Sequence, residues 1–188
     1  MKHIMIDLET LGTTADSVIL SIGAVKFDLA SDKIDDKGFY ASISVESNLD
    51  WKRRISEDTL LWWFKQPAAA QQVFHEEKMT IESALQDLAD WISTDDYTMW
   101  SNGADFDLPM LAHAYKQVNG GDPPWKFWNN RCFRTYKNLP GAKEIRVAPM
   151  GVKHNALSDA YQQAKTVQAI HKALFGTAQA TKNTKVKS

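Results

Sequence analysis

Two acidic residues near the amino terminus have a spacing that suits joint chemistry. Asp7 and Glu9 stand two positions apart at the end of a predicted strand. Side chains two apart on a strand point to the same side of the sheet, so both carboxylates face one site. An acid-x-acid pattern this short also occurs by chance. The pair therefore supports a functional site only if other catalytic or metal-binding side chains lie close to it.

A third acid stands between a predicted strand and a predicted helix. Asp107 precedes Leu108 and Pro109, a pattern that predicts Asp107 as the N-cap with Pro109 in the first turn. Asp105 is a competing candidate two residues earlier. Because aspartate is common at helix caps, Asp107 taken alone is as consistent with a structural helix cap as with a catalytic residue.

The third segment holds a histidine and a further acid. Asn155 is the predicted N-cap of the last helix, so His154 lies on the incoming loop and Asp159 falls in the first or second turn. A carboxylate and an imidazole then lie side by side at one helix end. A single histidine is more often structural than catalytic, so this pair also depends on its context.

The three segments together point to a metal centre. Their groups are hard carboxylate oxygens with no cysteine ligand among them, which favours Mg²⁺ or Mn²⁺ over zinc. Several carboxylates at one site repel each other unless cations neutralise them. A centre with two divalent ions resolves that repulsion.

The elements that must position these groups follow from the pattern of apolar residues. Candidate strands occupy Lys2 to Asp7, Ser17 to Phe27 and Gly38 to Ser44, and the short turns between them predict an antiparallel meander. Later, predicted helices that begin near Ser56, Thr80, Asp107 and Asn155 surround one more strand, Tyr97 to Trp100. This order predicts an α/β domain with a mixed central β-sheet flanked by α-helices.

Composition narrows the class of protein further. The 188 residues are 44% hydrophobic, which is enough for a core, and the net charge of -1 argues against a protein that coats DNA passively. The single cysteine, Cys132, excludes an internal disulfide framework and predicts a cytoplasmic setting. We find no apolar stretch of membrane-spanning length and no signal peptide. Residues 1–176 are the predicted domain, and 177–188 a basic, disordered tail.

The motifs resemble those of the DEDDh 3′-5′ exonucleases, a ribonuclease T-like family. The three matching motifs are Asp7-x-Glu9, Asn102…Phe106-Asp107 and His154-x4-Asp159. The stretches 100–107, 130–135 and 61–63 are closest to the phage and bacterial branch that includes the mycobacterial exoribonuclease AS. Three residues separate Asn102 from Phe106, where ribonuclease T-type members have two. We place the motif acid on Asp107 because it follows the aromatic residue.

The resemblance implies a ribonuclease H-like fold and a set of roles. By this resemblance, Asp7 would bridge two ions about 3.5–4 Å apart, Glu9 and Asp159 would complete the site of the attacking water, and Asp107 would hold the second ion. His154 would take the proton of that water. The implied products are nucleoside 5′-monophosphates from single-stranded DNA or RNA ends.

Substrate contacts are also implied by the resemblance or by residue type. They comprise residues beside the acids and exposed aromatic or cationic side chains: Thr10, Leu11, Trp62, Asn102, Phe106, Arg131 and Arg134. Any of Trp62, Trp63 and Phe64 could stack on a base, although at least one must point into the core. The basic run 52–54 is interpreted as a solvated face.

Two other functions remain open from the sequence. A ribonuclease H-type endonuclease would use the same metals, and a non-catalytic nucleic-acid-binding protein could share the fold. The His154-x4-Asp159 pair favours the exonuclease over the first, and the presence of every motif acid argues against the second. The choice between DNA and RNA stays undecided. A homodimer is possible, because the relatives named often form one.

Overall fold

A five-stranded mixed sheet organises the chain. The computed structural model describes residues 2–93 and 96–176, so the predicted tail at 177–188 lies outside the described residues. The strands lie in the order β3-β2-β1-β4-β5. They are β1 (His3–Thr10), β2 (Ile19–Phe27), β3 (Phe39–Ser42), β4 (Thr98–Ser101) and β5 (Asn130–Cys132).

The second half of β1 has no neighbouring strand on one of its two sides. β1, β2 and β3 form the predicted antiparallel meander, whereas β4 and β5 run parallel to β1 and to each other. The pairing of β1 with β4 ends at Met5 and Trp100, but β1 continues to Thr10. The last half of β1 therefore has no neighbouring strand on that side, and Asp7 and Glu9 lie in this half.

Helices cover both faces of the sheet, as the predicted fold class requires. Helices α4 (Ile81–Ile92) and α5 (Asp107–Ala114) pack on one face, and α7 (Ala156–Phe175) packs on the other. Ser56, Thr80 and Asn155 each cap a helix through a side-chain oxygen, as predicted. The helices are α1 (Val45–Asp50), α2 (Glu57–Trp63), α3 (Ala68–Gln71), α4 (Ile81–Ile92), α5 (Asp107–Ala114), α6 (Phe133–Tyr136) and α7 (Ala156–Phe175). Within the described ranges, none of them has the length and apolar character to traverse a lipid bilayer.

A glycine in β2 lets α7 approach the sheet. Gly23 pairs with Asp7 across the ladder, and a Cβ placed on Gly23 would lie 2.2 Å from backbone atoms of Ala156 and Leu157. No side chain fits in that space. The absence of a Cβ at position 23 thus brings the first turn of α7, with Asp159, against the strand that carries Asp7.

The basic run 52–54 is not a solvated face throughout, so that prediction is wrong for its central residue. The Arg53 side chain is 2% exposed. It donates hydrogen bonds to the carbonyls of Ser17 and Ala15 and to Oε1 of Gln117. Arg54 is exposed and pairs with Asp16 at 3.0 Å. The buried guanidinium ties the loop before β2 to Gln117, in the helical turn that follows α5.

Removing the Arg53 guanidinium should therefore destabilise the fold. We expect Arg53→Met to lower the free energy of unfolding by about 2–4 kcal/mol, because the buried carbonyl of Ser17 and the partly buried carbonyl of Ala15 lose their donor. The matched change Arg54→Met should cost less than about 1 kcal/mol, since an exposed ion pair contributes little. Urea denaturation of both variants measures the difference. Equal losses would contradict the structural role of Arg53.

Candidate metal and catalytic site

The open half of β1 brings three of the predicted groups into one cluster. Ligand atoms of Glu9, His154 and Asp159 all lie within 4.8 Å of one another. Asp7 lies two residues before Glu9 on β1, and Oδ1 of Asp107 accepts a hydrogen bond at 3.1 Å from the amide of Leu8, which stands between them. All five residues of the predicted catalytic set thus converge where β1 extends past β4.

Asp107 lies one position further into its helix than predicted. Phe106 is the N-cap of α5, and Asp107 is the first helical residue, so the predicted capping role is wrong. Its Oδ1 instead accepts a hydrogen bond at 3.1 Å from the backbone N–H of Leu8, on the side of β1 where β4 no longer pairs with it. Its Oδ2 is buried and has no hydrogen-bond partner among the described residues. A buried carboxylate oxygen without a donor is the kind of atom that a cation satisfies.

Neighbouring Asp105 differs in its surroundings, which makes the two acids separable by mutation. Asp105 is exposed, whereas Asp107 is 2% exposed. We expect Asp107→Asn to lower kcat by about a hundredfold or more, since asparagine keeps the acceptor for Leu8 but loses the charge. Asp105→Asn should change kcat less than about threefold. Steady-state assays of the two variants at saturating metal measure this, and the reverse order would move the motif to Asp105.

His154 adopts a backbone conformation that non-glycine residues rarely use. Its φ is 62°, and its N–H donates to Oδ2 of Asp159 at 3.0 Å. Asp159 thus fixes the loop that carries the histidine. The His154 ring meets Trp62 edge to face, with ring centroids 4.9 Å apart. Such strain persists only where neighbours enforce it, and it concentrates at functional sites.

Gln163 belongs to the cluster, although no motif in the sequence predicts it. Its Nε2 donates to Oδ1 of Asp7 at 2.7 Å, and its Oε1 is buried without a partner among the described residues. Gln163 stands four residues after Asp159, so both lie on the same face of α7. That spacing was the available signal, but a glutamine on a helix is not by itself a chemical motif.

Burial raises the pKa of every acid in the cluster, and neighbouring carboxylates raise the pKa values of Asp7 and Glu9 further. Burial and then the carboxylates of Asp107, Glu9 and Asp159 raise the pKa of Asp7 well above its ordinary value. Burial and then the charges of Asp159 and Asp107 raise the pKa of Glu9 to about 8. Burial raises the pKa of Asp107 to about 7, against the backbone amide of Leu8 and the more distant Arg134. Burial also raises the pKa of Asp159.

This donor set fits divalent cations. Four carboxylates and an imidazole converge, the Oδ2 of Asp107 lacks a donor, and no thiolate takes part. Oxygen-rich sites of this kind suit Mg²⁺ or Mn²⁺. At Asp7 and Glu9, cations would also remove the repulsion between carboxylates that favours protonation.

The stability of the metal-free protein should consequently fall as the pH rises. Acids with raised pKa values hold protons in the folded state that the unfolded state has released, so unfolding becomes easier between about pH 5 and about pH 8. We expect the Tm in EDTA to fall by roughly 5 °C across that window, and Mn²⁺ to restore it at the alkaline end. Calorimetry measures both effects. Glu9→Gln should flatten the pH dependence, and an unchanged slope in that variant would show that the acidic cluster is not its source.

A cavity of about 420 Å³ opens beside the cluster. Glu9 forms part of its wall together with aromatic and small polar residues, namely Leu8, Thr10, Gly12, Thr13, Asp58, Thr59, Trp62, Trp63 and Phe106. Thr10, Trp62 and Phe106 are predicted substrate contacts and lie in this wall. Leu11 is buried and does not line the cavity.

The consecutive aromatic residues of α2 have different surroundings. Trp63 is buried, and its Nε1–H donates to the carbonyl of Thr10 at 2.8 Å, so it holds β1 in place. Trp62 is 40% exposed and reaches both the cavity and His154. Phe64 is exposed but does not line the cavity. Of the three, only Trp62 combines exposure with a position in the cavity wall.

The two predicted phosphate-binding arginines do not lie together. Arg134 donates to the carbonyl of Asn102 at 2.9 Å and lowers the pKa of Asp107, so it belongs to the rim of the carboxylate site. The Oδ1 of Asn102 is buried there without a partner among the described residues. Arg131 instead lines a different cavity, with His3 and His171, on the α7 side of the sheet. The structure therefore separates Arg131 from the catalytic cluster.

Comparisons with known proteins agree on one class of enzyme. Residues 2–171 match the family model described as the 3′-5′ exoribonuclease Rv2179c-like domain. An exodeoxyribonuclease of Enterobacteria phage T4 is 23% identical over 159 residues, which cover 72% of this chain and 70% of the phage protein. A solved full-length 3′-exonuclease superposes with a TM-score of 0.54 at 14% identity, covering 92% of this chain and 81% of that one. At that identity the superposition reports on the fold alone, and it confirms the predicted ribonuclease H-like architecture.

Proposed function

Because the chain belongs to the 3′-5′ exoribonuclease Rv2179c-like family and is a 3′-5′ exonuclease, we propose that it hydrolyses single-stranded RNA with two divalent ions of Mg²⁺ or Mn²⁺. The observation that supports this mechanism best is the convergence of Glu9, His154 and Asp159 beside the partnerless Oδ2 of Asp107. RNA is the proposed substrate because the family description names an exoribonuclease.

The four carboxylates are proposed to act together as ligands of the ions. Asp7 stands two residues before Glu9, and Asp107 is bonded to the amide of Leu8 between them, so Asp7 would contribute to holding both ions. Glu9 and Asp159 would bind on the side of His154, and Asp107 on the side of α5. Bound ions would supply Lewis acidity and a water of lowered pKa. Gln163 orients the carboxylate of Asp7 through its hydrogen bond.

His154 is the proposed general base. Burial lowers the pKa of its imidazole, so the ring is neutral at physiological pH and can accept the proton of the attacking water. Asp159 holds the loop, and Trp62 holds the ring edge-on, which limits the positions that the imidazole can adopt. Release of a nucleoside 5′-monophosphate follows from attack at the phosphorus with the 3′ oxygen as leaving group.

The cavity beside the cluster is the proposed site of the terminal nucleotide. Its aromatic wall, Trp62 and Phe106, suits a base without regard to sequence, and Thr10 offers polar contacts. Arg134 and Asn102 at the rim are candidates for the scissile or neighbouring phosphate. Leu11 would act only through the backbone, because its side chain is buried.

Digestion of 5′-labelled RNA and DNA strands of identical sequence tests this function. With Mn²⁺ we expect a ladder that shortens from the 3′ end, with RNA the faster substrate. Faster digestion of DNA would instead support the second candidate, an exodeoxyribonuclease, which the phage relative favours. Cleavage of a circular strand would support the endonuclease and contradict the proposal.

Two further properties belong to the proposal. We keep a homodimer as one candidate assembly, on the basis of the resemblance to DEDDh exonucleases. We keep the cytoplasm as the expected location, because the single cysteine, Cys132, gives the chain no internal disulfide.

A further inference from the structure

A second cavity of about 420 Å³ lies on the α7 side of the sheet, near the start of β1. It is lined by His3, Leu29, Thr98, Trp100, Arg131, Tyr136, His171 and Phe175. None of these residues lines the catalytic cavity, and none is acidic. Its volume lies in the range of pockets that hold small ligands.

Three nitrogen-bearing side chains surround this cavity. Arg131 uses Nη1 to donate to the carbonyls of Trp128 and Asn130, at 3.0 and 2.9 Å, and this contact fixes the guanidinium. Its other nitrogens have no partner among the described residues. Nδ1 of His3 accepts from Nε1 of Trp100 at 3.3 Å, so the proton of the neutral ring is on Nε2. The cavity thus offers a fixed cation and an imidazole donor.

Charged groups of both signs act on the imidazole of His3. Burial lowers the pKa of His3, the charge of Asp28 raises it, and the charges of His171 and Arg131 lower it. The side chain of Asp28 accepts a hydrogen bond from the backbone of Ala30 and is not among the lining residues. Arg131 is therefore the cationic group that lines the cavity and can meet an anion there.

Aromatic rings form the remaining wall. Tyr136 and Phe175 are close to parallel, with centroids 6.5 Å apart and an interplanar angle of 29°. Trp100 meets Tyr136 edge to face, and the Tyr136 hydroxyl lies 3.1 Å from Nδ1 of His171. Phe175 is 46% exposed, so one large ring remains available at the cavity mouth. Exposed aromatic faces beside a fixed arginine suit a planar ligand that carries an anion.

We propose that this cavity binds one nucleotide unit, with its phosphate at Arg131, His3 and His171 and its base against Phe175. The choice of a nucleotide rests on the proposed function, because both substrate and product of the exonuclease present this unit. The unit comes either from a free nucleoside 5′-monophosphate or from a strand that extends away from the catalytic cluster. Arg131 then serves this second site rather than the reacting phosphate.

Histidine resonances give a readout specific to the site. The chain has five histidines, and His3 and His171 line this cavity while His154 lies at the catalytic cluster. The imidazole carbon-bound protons of the wild type are followed by NMR in EDTA, where unneutralised carboxylates repel phosphate from the catalytic cluster. We expect 5′-AMP to shift the His3 and His171 signals and to leave those of His75 and His113 in place. Single His→Gln variants assign the signals.

Matched variants distinguish binding at this cavity from nonspecific electrostatic attraction of the nucleotide to the protein surface. Arg131→Gln should raise the Kd for 5′-AMP by at least about tenfold, since a charge-assisted contact is lost. Arg146→Gln should not change it, because Arg146 is also an exposed arginine bonded to loop carbonyls but lines no described cavity. Phe175→Ala should weaken binding, whereas Phe127→Ala, which removes an equally large exposed ring, should not.

The arms of the titration identify the source of the nucleotide. Shifts with 5′-AMP alone assign the site to free mononucleotides, and shifts only with a short single strand assign it to the substrate strand. The proposal is overturned if only the His154 signal moves, or if adenosine moves the His3 and His171 signals as much as 5′-AMP. Signals that change with protein concentration in the absence of nucleotide would also overturn it, in favour of a second copy of the chain. Binding is measured without hydrolysis, so loss of the exonuclease activity and loss of this site are separate results.

Discussion

Asp7→Ala is expected to abolish turnover while the fold remains intact. The substitution removes the acid that contacts Gln163 and faces the other carboxylates, so the loss in kcat should reach about three orders of magnitude or more. Without metal, the Tm should hold or rise, because the substitution removes a buried acid whose ionisation burial and the neighbouring carboxylates oppose. With Mn²⁺ the wild type should gain stability and the variant much less.

Asp87→Ala is the matched control for this prediction. Asp87 is an exposed acid on α4, far in sequence from every residue of the cluster, and its loss should change neither kcat nor the effect of Mn²⁺ on Tm. Activity and melting curves are measured for both variants in the same buffers. Equal metal-induced shifts in wild type and Asp7→Ala would count against Asp7 as a ligand.

His154→Ala is expected to lower kcat by about a hundredfold to ten-thousandfold while sparing metal binding and substrate binding, because a general base acts only in the chemical step. Activity of the wild type should rise with pH through the imidazole pKa, which burial holds below its ordinary value. The variant should lack that inflection and recover part of its rate at high pH, where hydroxide replaces the base. Assays at saturating Mn²⁺ keep the carboxylates ionised across the range.

A second variant separates the chemistry of the ring from the strain of the backbone. His154 has a positive φ, which asparagine adopts more readily than alanine, so His154→Asn preserves the loop better. Both variants should lose the inflection although their melting temperatures differ. A histidine with a purely structural role would instead give a lower Tm and the pH profile of the wild type.

Local sequence signals account for much of the architecture. The Ser56, Thr80 and Asn155 caps and the turns between the first three strands are short-range features, and the structure confirms them. The family match confirms the resemblance that the three acidic motifs predicted. The pleat of β1 and the start of α7 then bring Glu9 and Asp159 together, as their positions in the sequence indicated.

The contacts that sequence did not predict all come from distant parts of the chain. The amide of Leu8 reaches Asp107 only because β4 ends early, which turns an expected cap into a buried acceptor. Arg53 finds its carbonyl partners 36 and 38 positions away. Gln163 meets Asp7 across 156 positions. No local pattern encodes which backbone groups a fold leaves without partners, so such residues are recognised only in three dimensions.

Products formed in ¹⁸O-labelled water test the central claim most directly. A single strand with a free 3′ hydroxyl is digested by the wild type with Mn²⁺, and the released mononucleotides are analysed by mass spectrometry. Asp7→Ala, purified in the same way, is the control for contaminating nucleases. If the cluster hydrolyses the terminal phosphodiester by attack of water at phosphorus, the products are nucleoside 5′-monophosphates that carry one ¹⁸O in the phosphate. Products with a 3′-phosphate, or internal fragments released from a strand whose 3′ end is blocked, would contradict the account.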